Sequence, residues 1–184
     1  MKEVEWVELM AARLTPALKD HTVEVQTGLK LAYGHEIKSY GKTEASHTSS
    51  LQTDLAIVEH IDAERWTPRV VVEAKLGSVT THDAITYSEK AATHRSVHPY
   101  LRYGIMLGER EHHPLPGRLY RHGAQFDFMA SFSGLEPTDL ELTAFAEVLA
   151  AEIAASRTLE RILYESRRPD RDRYTILHRR LIVK

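Results

Sequence analysis

Two acidic residues and a lysine stand where they could act together on a substrate: Asp54, Glu73 and Lys75. Side chains alternate between the two faces of a strand, so Glu73 and Lys75 project from one face of the valine-rich segment 69–76. Asp54 reaches the same surface if its own segment pairs with this strand through the turn at 62–68. Carboxylates on a rigid sheet suit Mg²⁺, and a nearby lysine can position a water molecule and offset negative charge. The pattern therefore predicts phosphodiester hydrolysis.

The same residues also have a simpler interpretation. Glu73 and Lys75 could form only an ion pair on an exposed strand face, a contact worth about 0–1 kcal/mol. We favour a ligand site because Asp54 would otherwise share its strand face with the apolar side chains of Ala56 and Val58. A carboxylate without a ligand is costly in such surroundings.

The first half of the chain has the apolar spacings of a helix followed by strands. Apolar residues three and four apart indicate an amphipathic helix, and alternating or continuous apolar runs indicate strands. The predicted elements are a helix over 1–14 limited by Pro16, a strand over 21–33 with Gly28 as a bulge, a loop or ragged hairpin over 34–50, and strands over 51–60 and 69–76.

The second half returns to helical spacing and then alternates again. The predicted elements are a helix over 80–97, strands over 102–107 and 126–132 joined by a loop rich in Pro, Gly, His and Arg, a helix from 138 toward 164, and a final strand or short helix over 174–183. A strand meander followed by a crossover helix implies an α/β fold, with a mixed β-sheet flanked by helices on both sides.

Size and composition limit the class of protein. The chain has 184 residues, of which 42% are hydrophobic and 27% charged, and it contains no cysteine. We expect one folded domain spanning 1–184. The lack of cysteine excludes disulfides, iron–sulfur clusters, thiolate zinc sites and a cysteine nucleophile. No apolar run of about 18 residues and no leader pattern occurs, so we expect a cytoplasmic protein without a membrane span.

The formal net charge of −2 hides an uneven distribution. The C-terminal segment 156–184 holds nine Lys or Arg against four acidic residues, whereas 1–155 holds fifteen against twenty-two. Such a basic segment could bind anions such as phosphates, and a solvated surface with salt bridges is the alternative. The overall charge argues against a uniformly basic nucleic-acid-binding protein.

The acidic pair and the lysine resemble the motif of the PD-(D/E)xK nuclease superfamily, which includes most type II restriction endonucleases and several repair nucleases. The resemblance consists of Asp54, a spacer of eighteen residues, and then Glu73-Ala74-Lys75, with a helix before the meander and another directly after it. It covers about residues 1–110 in element order and implies a restriction endonuclease-like core. Thr53 replaces the proline of the motif, a variation that the superfamily often has.

The resemblance also implies roles for individual residues. Asp54 and Glu73 would be metal ligands, the carbonyl of Ala74 a further ligand, and Lys75 the residue that positions the water. Many members add a glutamate from the first helix. Glu8 is our candidate because it lies about 40° from Val4, at the margin of the apolar stripe. A solvated helix acid is the alternative for Glu8.

The function that follows from the resemblance is cleavage of double-stranded DNA. We expect an endonuclease that depends on Mg²⁺, with Mn²⁺ as a substitute, of the type II restriction class and acting as a homodimer. Two alternatives remain open. One is a structure-selective or repair nuclease of the same superfamily, and the other is an inactive nucleic-acid-binding module with the same fold.

The helix predicted after Lys75 carries further polar residues. Thr80 and Asp83 at its start could contact a phosphate, or they could only cap the helix. Lys90 and His94 could face a nucleic-acid backbone, although we expect them to lie on a solvated helix surface.

Overall fold

One helix, five strands and then helices interspersed with strands follow one another along the part of the chain that the structure describes. The computed structural model describes residues 1–18, 20, 22–42, 45–111 and 115–165. No helix in this part of the chain has the length and apolar character needed to cross a lipid bilayer. The helices are α1 (Glu3–Ala17), α2 (Thr81–Val97), α3 (Gly117–His122) and α4 (Asp139–Glu165). The strands are β1 (Val23–Thr27), β2 (Lys30–Ser39), β3 (Ala45–Gln52), β4 (Leu55–His60), β5 (Trp66–Leu76), β6 (Arg102–Gly108) and β7 (Phe128–Ser131).

Five of these strands form one mixed sheet in the order β1-β4-β5-β6-β7. β4 is antiparallel to both β1 and β5, whereas β5, β6 and β7 run parallel. The parallel pairs are joined by crossover connections that contain α2 and α3, as parallel pairing requires. The predicted mixed sheet flanked by helices is therefore confirmed.

The two faces of β5 contribute to separate apolar clusters. Val72 packs in a cluster with residues of α1 and α4. Val71 belongs to the cluster on the other face, together with Ala91 of α2. Residues two apart in a strand point to the same face. Glu73 and Lys75 therefore share the face of Val71 and lie on the α2 side of the sheet.

β2 and β3 form a second, two-stranded antiparallel sheet, which we call the ribbon (Lys30–Gln52). The prediction of one strand over 21–33 is wrong, because Gly28, with φ of 66°, ends β1 and turns the chain into the ribbon. This left-handed conformation suits glycine. The hairpin alternative for segment 34–50 is confirmed, and the segment is polar because most of its side chains are exposed.

Three hydrogen bonds at the base of the ribbon, which we call the clamp, interrupt the predicted strand over 51–60. The buried Thr53 donates its backbone N–H and its hydroxyl to the carbonyl of Leu29, at 2.9 and 3.0 Å. The N–H of Gly28 donates to the carbonyl of Asp54 at 3.2 Å. The segment is therefore two strands, and Asp54 stands in the break before β4 instead of on a strand.

Other differences from the prediction are local. α1 continues through Pro16 to Ala17, because a proline in the last turn of a helix removes only one backbone hydrogen bond. The short helix α3 occupies part of the predicted loop between β6 and β7. The predicted element over 174–183 and most of the basic segment 156–184 lie outside the described residues.

Candidate functional site

Asp54 is held against the end of β5 by its own carboxylate. Leu55, the first residue of β4, pairs with Val72 of β5. One residue earlier, Oδ2 of Asp54 accepts the backbone N–H of Ala74 at 2.8 Å. The carboxylate thus replaces a backbone hydrogen bond at the point where the pairing of β4 with β5 ends. Its partner, Ala74, is the residue next to Glu73.

Glu73 is a buried carboxylate with both oxygens engaged. Its side chain is 1% exposed, and its Oε1 and Oε2 lie 2.8 and 3.0 Å from the ammonium nitrogen of Lys90. The hydroxyl of Tyr103 donates to Oε1. Burial raises the pKa of Glu73, and the negative charge of Asp54 raises it further, while the Lys90 ammonium acts in the opposite direction. The charge of Asp54 is therefore close enough to act on Glu73.

Tyr103 supports Glu73 from β6, the neighbouring parallel strand. It pairs in register with Val71, two residues before Glu73, so both side chains project from the same face. On its other side the Tyr103 ring meets the buried ring of His94 edge-on, at 5.7 Å between centroids. Burial and the charge of Glu73 raise the pKa of the Tyr103 hydroxyl, so Tyr103 acts only as a hydrogen-bond donor.

Lys90 reaches the site from α2, although the sequence analysis expected it on a solvated helix surface. Its ammonium contacts Glu73 and also donates to the carbonyl of Gln52, at 2.7 Å. Buried small residues on α2, Ala84 and Ala91 among them, bring the helix close to the sheet. Their spacing of seven was the signal in the sequence that this face of α2 is buried and that Lys90 stands at its margin.

Lys75 lies at the open end of the site. Its side chain is 27% exposed, and its ammonium nitrogen lies 3.8 Å from a carboxylate oxygen of Glu3. The same oxygen of Glu3 accepts the backbone N–H of Leu76 at 3.2 Å. The charge of Lys75 also contributes to lowering the pKa of Asp83, after the larger effect of a backbone hydrogen bond from Thr80. Lys75 therefore lies between the beginnings of α1 and α2.

The carboxylate that α1 places at this strand end is Glu3 and not Glu8. Glu8 is exposed on α1, five residues further along. Five residues rotate a helix by about 140° and advance it by about 7.5 Å, so the two glutamates point in different directions. The structure thus brings Asp54, Glu73, Ala74 and Lys75 together and does not bring Glu8 to them.

Four carboxylates act on one phenol at the site. The pKa of Tyr87 is raised to about 12 by burial and by these negative charges. The carboxylates belong to Glu3, Asp54, Glu73 and Asp83. The field around Tyr87 is therefore negative, although the ammonium groups of Lys75 and Lys90 are paired with Glu3 and Glu73.

The donor set suits a hard divalent cation. Among the described residues no group of three or more His, Cys, Asp or Glu side chains is placed to hold a metal ion. The carboxylates of Asp54 and Glu73 lie within electrostatic range of each other, and the carbonyl of Ala74 could add a third oxygen. Oxygen donors in a negative field fit Mg²⁺ or Mn²⁺. Because Lys90 and Tyr103 engage both oxygens of Glu73, an ion bound there would replace the Lys90 ammonium.

Comparison with known proteins places the chain in no family: no protein-family model matches it, and no curated protein is significantly similar to it.

Proposed function

We propose that this protein is a nuclease that hydrolyses phosphodiester bonds of double-stranded DNA and depends on Mg²⁺ or Mn²⁺. The observation that carries the proposal is the position of the Asp54 carboxylate, which accepts the N–H of Ala74 and lies within electrostatic range of Glu73. The carboxylate of Asp54, in the break before β4, and that of Glu73 on β5 lie close together, which is the arrangement that the motif implies. Their mutual repulsion is costly unless a cation or a proton is present.

The order of elements around the pair supports the same proposal. Asp54 directly precedes β4, and the antiparallel strand β5 carries Glu73 and Lys75. The crossover helix α2 follows, and β6 then runs parallel to β5. This is the order that a PD-(D/E)xK nuclease core implies. We therefore propose a restriction endonuclease-like core for the mixed sheet.

Each residue of the site has a part in such a reaction. Asp54, Glu73 and the carbonyl of Ala74 would hold the cation. A bound Mg²⁺ polarises the phosphate and makes a coordinated water more acidic. Lys75 lies at the exposed end of the group, so its ammonium can donate to the attacking water or to a phosphate oxygen and offset the charge that develops there.

Lys90 has a different part from Lys75. It lies deeper and neutralises Glu73 in the absence of a cation. An isolated carboxylate that is 1% exposed would be strongly destabilising, so this contact preserves the site before the cation binds.

We propose the restriction type, acting as a homodimer, as the form of this nuclease. A two-fold assembly presents one site to each strand of a symmetric duplex. Discrete fragments from a long duplex would support this form, whereas cutting only at junctions, flaps or ends would assign the protein to repair. Cation binding without cleavage of any DNA would indicate an inactive binding module.

The test is cleavage of supercoiled plasmid with and without Mg²⁺. Asp54→Asn and Glu73→Gln should each reduce nicking by about 100-fold or more, because each removes a cation ligand. Asp62→Asn is the matched control, since Asp62 is an exposed acid in the turn at the opposite end of β4. Metal-dependent nicking that is equal in wild type and Asp54→Asn would overturn the proposal.

A second pair of variants compares the two glutamates of α1. Glu3→Gln should reduce cleavage, because it removes the negative charge that pairs with Lys75 and that strengthens the hydrogen bond from the Leu76 N–H. Glu8→Gln removes an exposed carboxylate on another face of the helix. A loss in Glu8→Gln without a loss in Glu3→Gln would favour the original sequence prediction over the structure.

A further inference from the structure

The inner end of β2 packs against α2, with Leu31 buried, and the ribbon continues outward from there. Side chains 35–39 of β2 and 45–48 of β3 are all exposed. An exposed two-stranded sheet is marginally stable by itself, and its own packing gives no reason for its length. The ten residues of β2 would span about 30 Å when extended.

The end of the ribbon carries a small group of residues suited to nucleic acid. We call Lys38, Tyr40 and Lys42 the ribbon tip. Tyr40 is 82% exposed, more than any other large hydrophobic side chain that is exposed in the described part of the chain. Both lysines are also exposed. Exposed ammonium groups can contact phosphates, and an exposed aromatic ring can stack on a base or a sugar.

The base of the ribbon is joined to the candidate site. The clamp connects Leu29 and Gly28 to Thr53 and Asp54. Lys90 adds a contact from α2 to the carbonyl of Gln52, the last residue of β3. The ribbon therefore starts at the carboxylates, and a duplex bound at the site would lie within its reach.

Shape and charge favour duplex DNA over a protein partner. The major groove admits a two-stranded β-ribbon. The pairing of β2 with β3 shifts register twice, between Ala32 and Gly34 and between Ile37 and Ser39, and such irregularities bend a ribbon. Segment 30–52 has three lysines against two glutamates, whereas the whole of 1–155 is acidic, so the ribbon is the more cationic part of the body.

We propose that the ribbon tip is a DNA-binding surface that contacts the duplex away from the cleaved bond. This inference rests on the proposed function, since it names the second contact of the same substrate. With about 3.4 Å per base pair, a ribbon of about 30 Å reaches about nine base pairs from the site.

The test is DNA affinity, measured by fluorescence anisotropy on a 30-base-pair duplex with Ca²⁺ in place of Mg²⁺. Replacing both lysines of the tip, Lys38→Ala with Lys42→Ala, should weaken binding about tenfold and reduce the slope of log affinity against log salt by about two. Tyr40→Ala should weaken binding with little change in slope, and Tyr40→Phe should retain it. Arg65→Ala is the control, because this exposed cation lies in the turn at the far end of β4.

A shorter duplex gives a second measurement. On a duplex of about eight base pairs, shorter than the reach of the ribbon, the wild-type protein should bind no more tightly than the double lysine variant, because a duplex that covers the site ends before the tip. Circular dichroism should show that all variants retain the wild-type fold. Equal affinity of the tip variants, wild type and Arg65→Ala on the long duplex would overturn the inference. A change in oligomeric state with unchanged DNA affinity would also overturn it and would assign the tip to contacts between copies of the chain.

The failure of this inference can be distinguished from the failure of the proposed function. Cleavage that depends on Asp54 together with unaffected binding by the tip variants would reject the tip alone. Binding that depends on the tip without cleavage that depends on Asp54 would reject the nuclease alone.

Discussion

The two lysines near Glu73 have different surroundings, so we expect one to stabilise the fold and the other to act in the proposed reaction. Lys90 contacts both oxygens of a carboxylate that is 1% exposed, whereas Lys75 is 27% exposed and its ammonium lies 3.8 Å from Glu3. A buried ion pair becomes costly when one partner is removed, while an exposed pair contributes little. The two lysines should therefore differ sharply when they are replaced.

We predict that Lys90→Met lowers the free energy of unfolding by about 3–5 kcal/mol, because it leaves Glu73 buried without a counter-charge. Lys75→Met should lower it by less than about 1 kcal/mol, since its pair with Glu3 is partly exposed. Cleavage should show the reverse order once Lys90→Met is assayed under conditions in which it is folded. Urea unfolding and plasmid nicking measure the two quantities.

The control is the double variant in which Lys90→Met is combined with Glu73→Gln. Removing the buried charge should restore part of the lost stability, because no uncompensated carboxylate remains. If the double variant is as unstable as the sum of the single variants, the loss comes from packing and not from charge.

At the level of residues, the sequence could predict contacts within one strand but not those between distant segments. Glu73 and Lys75 follow from the two-residue period of a strand. Three further side chains reach the same place from other elements: Lys90 from α2, Tyr103 from β6 and Glu3 from α1. No local sequence pattern predicts these contacts. The resemblance could therefore suggest candidate ligands, but it could not predict the side chains from other elements that contact them.

Among the elements, α2 carries the most unusual buried group. Neither ring nitrogen of His94 has a hydrogen-bond partner within the described residues, and the side chain is 0% exposed. Burial lowers its pKa to about 4, and the nearby charges of Lys90 and His98 act in the same direction. Tyr103 faces it from β6. The helix therefore packs against the sheet with a neutral imidazole.

This imidazole should make stability depend on pH. Below the ordinary pKa of 6.5 the unfolded chain binds a proton at His94 that the folded protein binds only near pH 4. The free energy of unfolding should therefore fall by up to about 3 kcal/mol as the pH drops from 6.5 to 4. Urea unfolding of wild type and His94→Leu across this range is the measurement, and the variant should show a shallower dependence.

His47→Leu is the matched control, because this side chain is exposed on β3 and meets water in both states. It should leave the pH dependence unchanged. A wild-type dependence that His94→Leu does not reduce would assign the acid sensitivity to other groups.

The elements themselves show where sequence reasoning loses accuracy. The valine run of β5 and the helical spacing of α2 are local patterns, and both elements occur near their predicted bounds. The break at Thr53 depends on hydrogen bonds to Leu29, 24 residues earlier in the chain, so no window of sequence contains its cause. The same break separates the ribbon from the main sheet and places Asp54 directly before the first residue of β4.

On the scale of the whole molecule, the net charge of −2 includes four carboxylates gathered around Tyr87 near the end of β5, which belong to Glu3, Asp54, Glu73 and Asp83. If a cation binds there as proposed, it stabilises the folded state relative to the unfolded chain, which has no assembled site. The order of helices and strands was enough to predict the mixed sheet, because connections in such folds are short and follow few topologies. The clustering of these carboxylates could not be predicted from the sequence, because they belong to different elements that only the fold brings together.

We predict that Mn²⁺ raises the melting temperature of the wild-type protein by about 5–10 °C at one hundred times its Kd, equivalent to about 2.7 kcal/mol. The rise should increase with pH, because the proton that the raised pKa of Glu73 retains competes with the cation. Asp54→Asn should show no rise, and Asp62→Asn should behave as wild type. Differential scanning calorimetry measures all three proteins, and an equal rise in Asp54→Asn would place the cation elsewhere.

The clamp sets which changes of length the chain can tolerate. Residues added in pairs at the outer end of the ribbon extend its ladder away from Leu29 and Thr53, so they leave the base in place. One residue added between Asp54 and Leu55 would move the Asp54 carboxylate away from β4 and from the Ala74 N–H that it accepts. Insertions and deletions at the outer end can therefore change the length of the ribbon. The segment between Thr53 and β4, in contrast, must remain one residue long.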